Sequence, residues 1–423
     1  MRTLRYCTQC AVVFVMACAL AAGQAREKVL YSFGANPNDG YNPNGGLVFD
    51  GAGNLYGTAQ FGGSQCHSEC GIVFELSPSQ NGSWTETILY NFCSQSNCAD
   101  GQFPQAGLVF DSAGNLYGTT LTGGSHGSGV VFKLSPPSAP GADWTETVLW
   151  SLGGPGDGGG PYSKLTLDAL GNLYGTTSQA QLGPGAVFEL SPGPAGWTEK
   201  VLYTFCLSYP DCSDGAEPMA GVTFDKSGNL FGTTRFGGHG SGEGWGVVYE
   251  LSPAQGGNWT ETTIHLFSSK GGGQPFSILN FDNAGNLYGT VSQGGSDGLA
   301  QCGGVFRLSP IQGGWKGGIL PFNDSGVDGC QPQAGVFVDN KTRSVYGTTH
   351  SGGNFDAGIA FKITGLTLTT LYTFCSQPSC TDGARPASFL TPHAGKLYGT
   401  TTEGGTSSVC GQLGCGVVFQ LAP

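Results

Sequence analysis

The chain has 423 residues, of which 75 are glycine, 39% are hydrophobic and only 11% are charged. Its 29 acidic residues outnumber its 17 lysines and arginines, which argues against a nucleic-acid partner because phosphate binding needs clustered basic residues. Regular aromatic and β-branched runs lie between the glycines, without any long amphipathic pattern. This composition predicts an all-β protein of short strands and tight turns.

The first 25 residues have the layout of a secretory signal peptide. Arg2 and Arg5 precede an apolar stretch over 11–22, and Gly23-Gln24-Ala25 offers a cleavage site. The stretch is about a dozen residues, whereas a bilayer crossing needs roughly 20. We therefore expect cleavage near Ala25, a secreted protein (extracellular or periplasmic), and no transmembrane helix in the mature chain. Lipid modification of Cys18 is the alternative.

A tetrapeptide, Leu-Tyr-Gly-Thr or a close variant, recurs seven times along the rest of the chain. Its aromatic residues are Tyr56, Tyr117, Tyr174, Phe231, Tyr288, Tyr346 and Tyr398, at steps of 52 to 61 residues. Regular copies of this length are typical of propeller blades. The repeat predicts that residues 26–423 form a single domain, a seven-bladed β-propeller.

Each copy contains four strand-like segments, which we name A, B, C and D from the axis outward. In the second copy they are 107–111, 115–120, 129–135 and 144–152. The A–B connection is Asp-x-x-Gly-Asn, a hairpin signature, and it begins at Asp50, Asp111, Asp168, Asp225 and Asp282. Because strand direction alternates, the A–B and C–D turns share one face, the turn face, and the B–C and D–A connections share the other.

The two ends of the chain are complementary. A lone D-like strand, residues 28–33, precedes the first A strand, and the last copy stops after its C strand, residues 416–421. Unpaired strand edges leave backbone hydrogen-bonding groups unsatisfied. We predict that 28–33 pairs with 416–421 as the outer strand of the seventh blade, so that every blade is a four-stranded antiparallel sheet and the ring is closed.

The repeat also resembles a known family. Residues 107–136 read Gly-Leu-Val-Phe-Asp-x-Ala-Gly-Asn-Leu-Tyr-Gly-Thr-Thr, then Gly-Gly, then Gly-Val-Val-Phe-Lys-Leu-Ser-Pro. This string is similar to the bacterial GloVer tandem repeats, often called choice-of-anchor proteins, and the copies cover essentially the whole mature chain. The resemblance implies an exported bacterial protein of a family without an assigned activity.

Twelve cysteines follow the predicted signal peptide. Five couples are close in sequence: Cys66/Cys70, Cys93/Cys98, Cys206/Cys212, Cys375/Cys380 and Cys410/Cys415. Cys302 and Cys330 pair by elimination. An even count in an exported chain favours disulfides, with zinc held by Cys-x₄-Cys as the alternative. All twelve fall in B–C or D–A connections, so we name that face the stapled face and expect binding there.

The D–A connections share the pattern Asp-Gly-x-x-Pro. Its carboxylates are Asp39, Asp100, Asp157, Asp214, Asp328 and Asp382, and Gly271 replaces the acid in the fifth copy. Six equivalent carboxylates predict a ring at the mouth of the central channel, where oxygen ligands would suit Ca²⁺. The alternative is that each Asp only caps its own turn.

The residue directly after strand B differs between copies although its surroundings are constant. These residues are Gln60, Leu121, Ser178, Arg235, Ser292, His350 and Thr402. Strand B ends at the stapled face, so we expect Gln60, Arg235 and His350 to contact a ligand, unless strand ends simply tolerate any residue. Trp245, in a B–C loop, is a candidate for stacking on that ligand. The tryptophans that open the D strands are interpreted as outer-edge packing residues: Trp84, Trp144, Trp197, Trp259 and Trp315.

Three functions fit these observations, and no catalytic residue is assigned. The first is a non-catalytic module, expected to be monomeric, that binds a glycan, a cell-surface polymer or a protein through the stapled face. The second is a polysaccharide lyase or hydrolase with its site at the channel mouth, which would need an acid–base pair within hydrogen-bonding reach. The third is a structural component of an envelope or matrix.

Overall fold

The computed structural model of the protein confirms the seven-bladed β-propeller. It describes residues 25–423 except 66–69, 140, 181–182, 209, 239–243, 270, 295–301 and 324. Each blade is an antiparallel sheet with the strand order A–B–C–D, and the sheets are numbered here in chain order. The predicted signal peptide lies outside the described residues apart from Ala25. Across the described ranges, no helix has the length and apolarity that a membrane crossing requires.

The strand bounds, from A to D, are as follows. Blade 1 contains Val48–Phe49, Leu55–Ala59, Ile72–Pro78 and Trp84–Asn91. Blade 2 contains Val109–Phe110, Leu116–Thr120, Val130–Ser135 and Thr145–Ser151. Blade 3 contains Thr166–Leu167, Leu173–Thr177, Ala186–Gly193 and Gly196–Thr204. Blade 4 contains Thr223–Phe224, Leu230–Thr234, Val247–Pro253 and Trp259–Leu266.

The remaining blades follow the same order. Blade 5 contains Asn280–Phe281, Leu287–Val291, Gly304–Ile311 and Gly314–Pro321. Blade 6 contains Phe337–Asp339, Ser344–Thr349, Ile359–Thr364 and Thr367–Thr373. Blade 7 contains Thr391–His393, Lys396–Glu403, Val417–Ala422 and, as its D strand, Arg26–Ser32.

Short elements decorate the connections between these strands. Gly40–Tyr41 pairs with Phe61–Gly62, Gly158–Gly159 pairs with Gln179–Ala180, and Ala384–Pro386 pairs with strand B of blade 7. The 3₁₀ turns within the described residues are Ser96–Cys98, Gln255–Gly257, Pro378–Cys380 and Gly411–Leu413. The fold is therefore almost entirely strand and turn.

The termini close the ring as predicted, with the pairing starting two residues earlier than expected. Arg26–Ser32 runs antiparallel to Val417–Ala422, from Arg26 opposite Ala422 to Ser32 opposite Val417. Blade 7 also contacts blade 1, because the Thr391 hydroxyl donates to the Leu47 carbonyl at 2.7 Å. The first and last segments thus belong to one sheet.

The glycine of the repeated tetrapeptide has a steric cause. A Cβ on Gly57 would lie 2.6 Å from Cζ of Phe74 in strand C, and a Cβ on Gly118 would lie 2.6 Å from Cζ of Phe132. Only glycine lets the phenylalanine ring lie flat over strand B. The repeated glycine is therefore explained by the packing of strand B against the aromatic ring of strand C in each blade.

The tryptophans of the D strands pack between blades. Trp144 of blade 2 contacts Tyr56 of blade 1 with ring centroids 6.2 Å apart, and Trp315 of blade 5 contacts Phe231 of blade 4 at 5.7 Å. Trp84, Trp197 and Trp259 pack on the strand B aromatic of the preceding blade in the same way. Five of the seven blade junctions are therefore filled by an indole.

The A–B hairpin signature also folds as predicted. Oδ1 of Asp111 accepts hydrogen bonds from the backbone N–H groups of Ala113 and Asn115, both at 2.9 Å, and Oδ2 accepts from the Asn115 amide at 2.7 Å. Burial by itself would raise the pKa of Asp111, but the Asn115 and Tyr117 bonds outweigh it and lower the pKa. The charged form of this Asp therefore stabilises the turn.

Candidate functional site

Disulfides hold the connections of the stapled face. The structure confirms Cys93–Cys98, Cys206–Cys212, Cys302–Cys330, Cys375–Cys380 and Cys410–Cys415. Each of these cysteines falls in a B–C or D–A connection, on the face opposite the hairpin turns. Five of the six predicted pairs are therefore formed as expected.

Of the sixth predicted pair, Cys66 with Cys70, the structure describes only Cys70. Cys70 is fully buried in the B–C connection of blade 1 and belongs to a disulfide. Its carbonyl also accepts the Phe103 N–H at 3.0 Å. Cys66 lies outside the described residues. The structure thus shows Cys70 in its oxidised form, and the identity of Cys66 as its partner stays a prediction.

A ring of backbone bonds joins neighbouring blades on this face. The residue before each D–A proline links the preceding blade to the next strand B. Gln331, for example, donates its N–H to the Cys302 carbonyl at 2.9 Å and accepts from the His350 N–H at 3.1 Å. Non-glycine members of this ring have positive φ: Asn42, Phe103, Glu217, Gln274, Gln331 and Arg385. The backbone groups of these residues are thus hydrogen-bonded within the protein, and the blades differ only in the side chains at this position.

The predicted binding residue Arg235 lies at the end of strand B in blade 4. Its guanidinium lies over the rings of Phe236 and Phe276, 4.6 and 4.8 Å from their centroids, and forms an ion pair of 3.7 Å with Glu217. These contacts hold the side chain in place. Its Nε is buried and has no hydrogen-bond partner among the described residues.

His350 occupies the corresponding place in blade 6. Burial, and then the positive charge of Arg385, lower the pKa of its imidazole, although Asp356 acts in the opposite direction. Its Nδ1 is buried and, like Nε of Arg235, has no partner in the described part of the chain. Blade 5 lies between these two side chains, so the structure does not bring Arg235 and His350 into contact.

The other two predicted binding residues are held by the framework. Gln60 donates its backbone N–H to the Asn42 carbonyl at 3.1 Å, and its side chain is half-buried. Trp245 packs against the D–A connection after blade 4, where a Cβ on Gly273 would lie 2.5 Å from Cε3 of the indole. Gly273 therefore makes room for Trp245. Binding by either residue stays a prediction.

Sequence reasoning missed a lysine in the central channel. Lys164 lies just before strand A of blade 3, and the equivalent residues of the other blades are Gly46, Gly107, Gly221, Ile278, Gly335 and Phe389. Adjacent members touch, since a Cβ on Gly221 would lie 2.5 Å from the carbonyl oxygen of Lys164. Burial lowers the pKa of the Lys164 ammonium, although the residue stays partly exposed, as expected beside a channel. It makes no hydrogen bond or ion pair with any described residue.

The ring Asp residues are bound to the loops that precede them. Oδ2 of Asp100 accepts from the Tyr90 hydroxyl and from the backbone N–H and hydroxyl of Ser94, each at 2.8 Å. Asp39, Asp157, Asp214, Asp328 and Asp382 likewise accept backbone N–H groups of their own D–A connections. These contacts are those of turn caps.

Five of these six Asp residues also face a glutamate from the D strand of the next blade. The pairs are Asp382–Glu27, Asp39–Glu86, Asp100–Glu146, Asp157–Glu199 and Asp214–Glu261. Burial first, and the neighbouring Asp second, raise the pKa of Glu86 to about 8. The pKa of each of the other four glutamates is raised to about 7, mainly by burial. These acids therefore lie between blades at the outer strands.

No metal centre is evident among the described residues. They contain no group of three or more His, Cys, Asp or Glu side chains placed to hold an ion. The capping contacts use oxygens that a Ca²⁺ ion at the ring would need. Calcium binding by the six Asp residues stays a prediction, and this geometry does not support it.

Solved structures resemble the chain in fold alone. A candidate 6-phosphogluconolactonase of Bacteroides uniformis ATCC 8492 has a TM-score of 0.51 and 11% identity, covering 82% of this chain and 95% of its own. One of Bacteroides fragilis NCTC 9343 has a TM-score of 0.50 and 11% identity, covering 82% and 94%. No curated protein matches the sequence. At this identity the likeness carries no activity.

The sequence family is decided by a repeat model. The model described as the Gloeobacter/Verrucomicrobia repeat matches residues 8–212 and again residues 171–419. These two ranges overlap and together include all seven tetrapeptides. The chain therefore belongs to the Gloeobacter/Verrucomicrobia repeat family.

Proposed function

We propose that the chain is a non-catalytic binding propeller that holds an acidic glycan at the channel mouth of its stapled face. The observation that carries this proposal is the pair of buried, unpartnered nitrogens, Nε of Arg235 and Nδ1 of His350. Buried polar groups nearly always have hydrogen-bond partners. The Arg235 side chain is 32% exposed and His350 is half-buried, so a small turn of either side chain on binding would bring its nitrogen into reach of a ligand. A sugar presents oxygens that accept from Nε of Arg235 and hydroxyls that donate to Nδ1 of His350.

Lys164 supports an acidic glycan over a neutral one. An ammonium without a counter-ion attracts an anionic group even in a protein of formal charge −12, because local charge decides where an anion binds. A uronate carboxylate beside Lys164 would offset the desolvation of the ammonium. The channel lysine and the mouth nitrogens would then contact one extended ligand.

Export is part of the same proposal. The five described disulfides fit an oxidising compartment, where such bonds persist. We infer cleavage near Ala25 and a secreted mature chain. Mass spectrometry of the protein recovered from the medium or periplasm of its native cells tests the cleavage. A protein that still begins at residue 1 would contradict it.

The binding proposal is tested with the purified mature chain on an array of neutral and uronate-containing polysaccharides. We expect binding to uronate-containing polymers, weakened at least about tenfold in Arg235→Ala and in Lys164→Met. Lys226→Ala removes an exposed cation from a hairpin of the turn face and is the matched control, expected to bind normally. Cleaved products would favour the lyase or hydrolase instead, and absence of binding to any polymer would favour the structural role.

A further inference from the structure

A cleft opens between blades 5 and 6 on the turn face, opposite the proposed glycan site. Its volume is about 1180 Å³. Tyr288, Arg307 and Lys316 line it from blade 5, and Arg343 and Leu366 line it from blade 6. We name it the blade 5/6 cleft.

The cleft lies where five of the seven junctions hold a tryptophan. By its position in strand pairing, Leu366 of blade 6 replaces Trp84 of blade 1. Leu366 is 86% exposed and does not fill the space. Tyr288 is accordingly half-buried, whereas the corresponding aromatic residue of every other blade is buried. The Tyr288 side of the junction could therefore still pack against one more aromatic side chain.

The rim of this cleft carries three cations and two acids, an excess of one positive charge. Arg307, Lys316 and Arg343 form no ion pair with any described residue, and Arg307 lies 5.9 Å from the Tyr288 ring centroid. The two acids of the lining, Asp282 and Asp339, accept hydrogen bonds in their own hairpin turns. In an acidic protein this rim favours a negatively charged partner.

We propose that the blade 5/6 cleft binds a partner protein through a tryptophan followed by acidic residues. The other blades indicate which side chain would fit the cleft. At the junction of blades 7 and 1, for example, the equivalent space holds the tryptophan of a Trp-Thr-Glu-Thr strand, residues 84–87. The cleft volume exceeds an indole several-fold, which leaves room for neighbouring residues of a polypeptide. Buried aromatic anchors with charged surroundings are the usual energetic centre of such contacts.

The test is fluorescence anisotropy with a fluorescein-labelled peptide, Ser-Trp-Thr-Glu-Thr, and the full mature protein. We expect saturable binding that weakens as salt rises, and at least about tenfold weaker binding of the peptide in which alanine replaces tryptophan. Leu366→Trp should block the peptide by placing its own indole against Tyr288, where the peptide tryptophan would bind. Leu170→Trp adds a tryptophan at another exposed leucine, 82% accessible, and should bind as the wild type does.

Charge variants keep the proposal testable if Leu366→Trp does not fold. Arg307→Gln and Lys316→Gln should each weaken binding about threefold or more and reduce its salt dependence. Unchanged binding by Leu366→Trp or by both charge variants, or equal affinity of the alanine peptide, would overturn the proposal. Equal affinity of N-acetyltryptophanamide would also overturn it, because the site would then serve a small molecule. None of these outcomes affects the glycan proposal, which concerns the opposite face.

Discussion

The junction between blades 1 and 2 and the junction between blades 5 and 6 are built from the same repeat and differ in nearly every contact. In the first, Trp144 fills the space beside Tyr56, and Tyr90, Asp100 and Glu146 meet at the outer strands. In the second, Leu366 leaves Tyr288 uncovered, and Leu320 and Leu368 occupy the places of the tyrosine and the glutamate.

A disulfide compensates for these losses at the second junction. Cys302–Cys330 joins the B–C loop of blade 5 to the connection that leads into blade 6, with a sequence separation of 28. In each of the other four described disulfides, the two cysteines belong to a single connection and are 5 or 6 residues apart in sequence. Stability in this propeller is therefore distributed by junction, and the weakly packed 5/6 junction has both a crosslink and an open cleft.

Removing Cys302–Cys330 should give the largest effect. In the chain-entropy model, Cys302→Ala with Cys330→Ala lowers the free energy of unfolding by about 3.5 kcal/mol, and Cys93→Ala with Cys98→Ala lowers it by about 2 kcal/mol. Urea denaturation of both double variants measures the difference. A larger loss at Cys93–Cys98 would contradict the view that the 5/6 junction depends on its crosslink.

Truncating the interblade tryptophan should have the next largest effect. Trp144→Ala removes the indole from between blades 1 and 2, and we expect a loss of about 2–3 kcal/mol in the free energy of unfolding. Leu366→Ala, its counterpart at the 5/6 junction, should cost less than about 0.5 kcal/mol because the side chain is exposed. Equal losses in urea denaturation would show that the two junctions are packed alike.

The interblade acid pairs predict an effect that depends on pH. The pKa of Glu86 is about 8 in the folded protein, against an ordinary value of 4.5. Between pH 4.5 and pH 8 the folded protein therefore keeps a proton on Glu86 that the unfolded chain has released. Stability from this proton is fully present below pH 4.5 and is lost as the pH rises through about 8. With five such glutamates, we expect the melting temperature to fall by about 5 °C between pH 5 and pH 8.

Glu86→Gln sharpens that prediction. The amide stays neutral, so the fall in melting temperature between pH 5 and pH 8 should shrink by about 1–2 °C. Asp143→Asn, which removes an exposed acid outside these pairs, is the control and should leave the fall unchanged. A melting temperature that rises with pH over this range would contradict the raised pKa values.

The sequence predicted the fold because the repeat encodes it directly. Gly57 and Phe74 recur together since one packs on the other, and the spare strand at each terminus had a single complementary partner. Four of the five described disulfides followed from the spacing of cysteines within connections, and Cys302–Cys330 followed by elimination. Arg235 and His350 were identifiable as variable residues on a constant framework, although their role as ligand contacts stays a prediction.

Contacts between blades were much harder to predict, because they join distant residues that no local pattern links, such as Tyr56 and Trp144. The series of D-strand tryptophans was visible, but that each packs on the tyrosine of the preceding blade was not. Its interruption after Trp315 was the available signal for the cleft at Tyr288. Lys164 was missed because a single lysine among glycines shows its place in the channel only once the ring is assembled.

The most direct test of the junction account is the melting temperature of Leu366→Trp. If a missing indole is what leaves the 5/6 junction open, the new side chain should cover Tyr288 and raise the melting temperature by about 1–3 °C. An unchanged or lower melting temperature, in a variant that still folds, would contradict the claim that the packing of each junction decides stability.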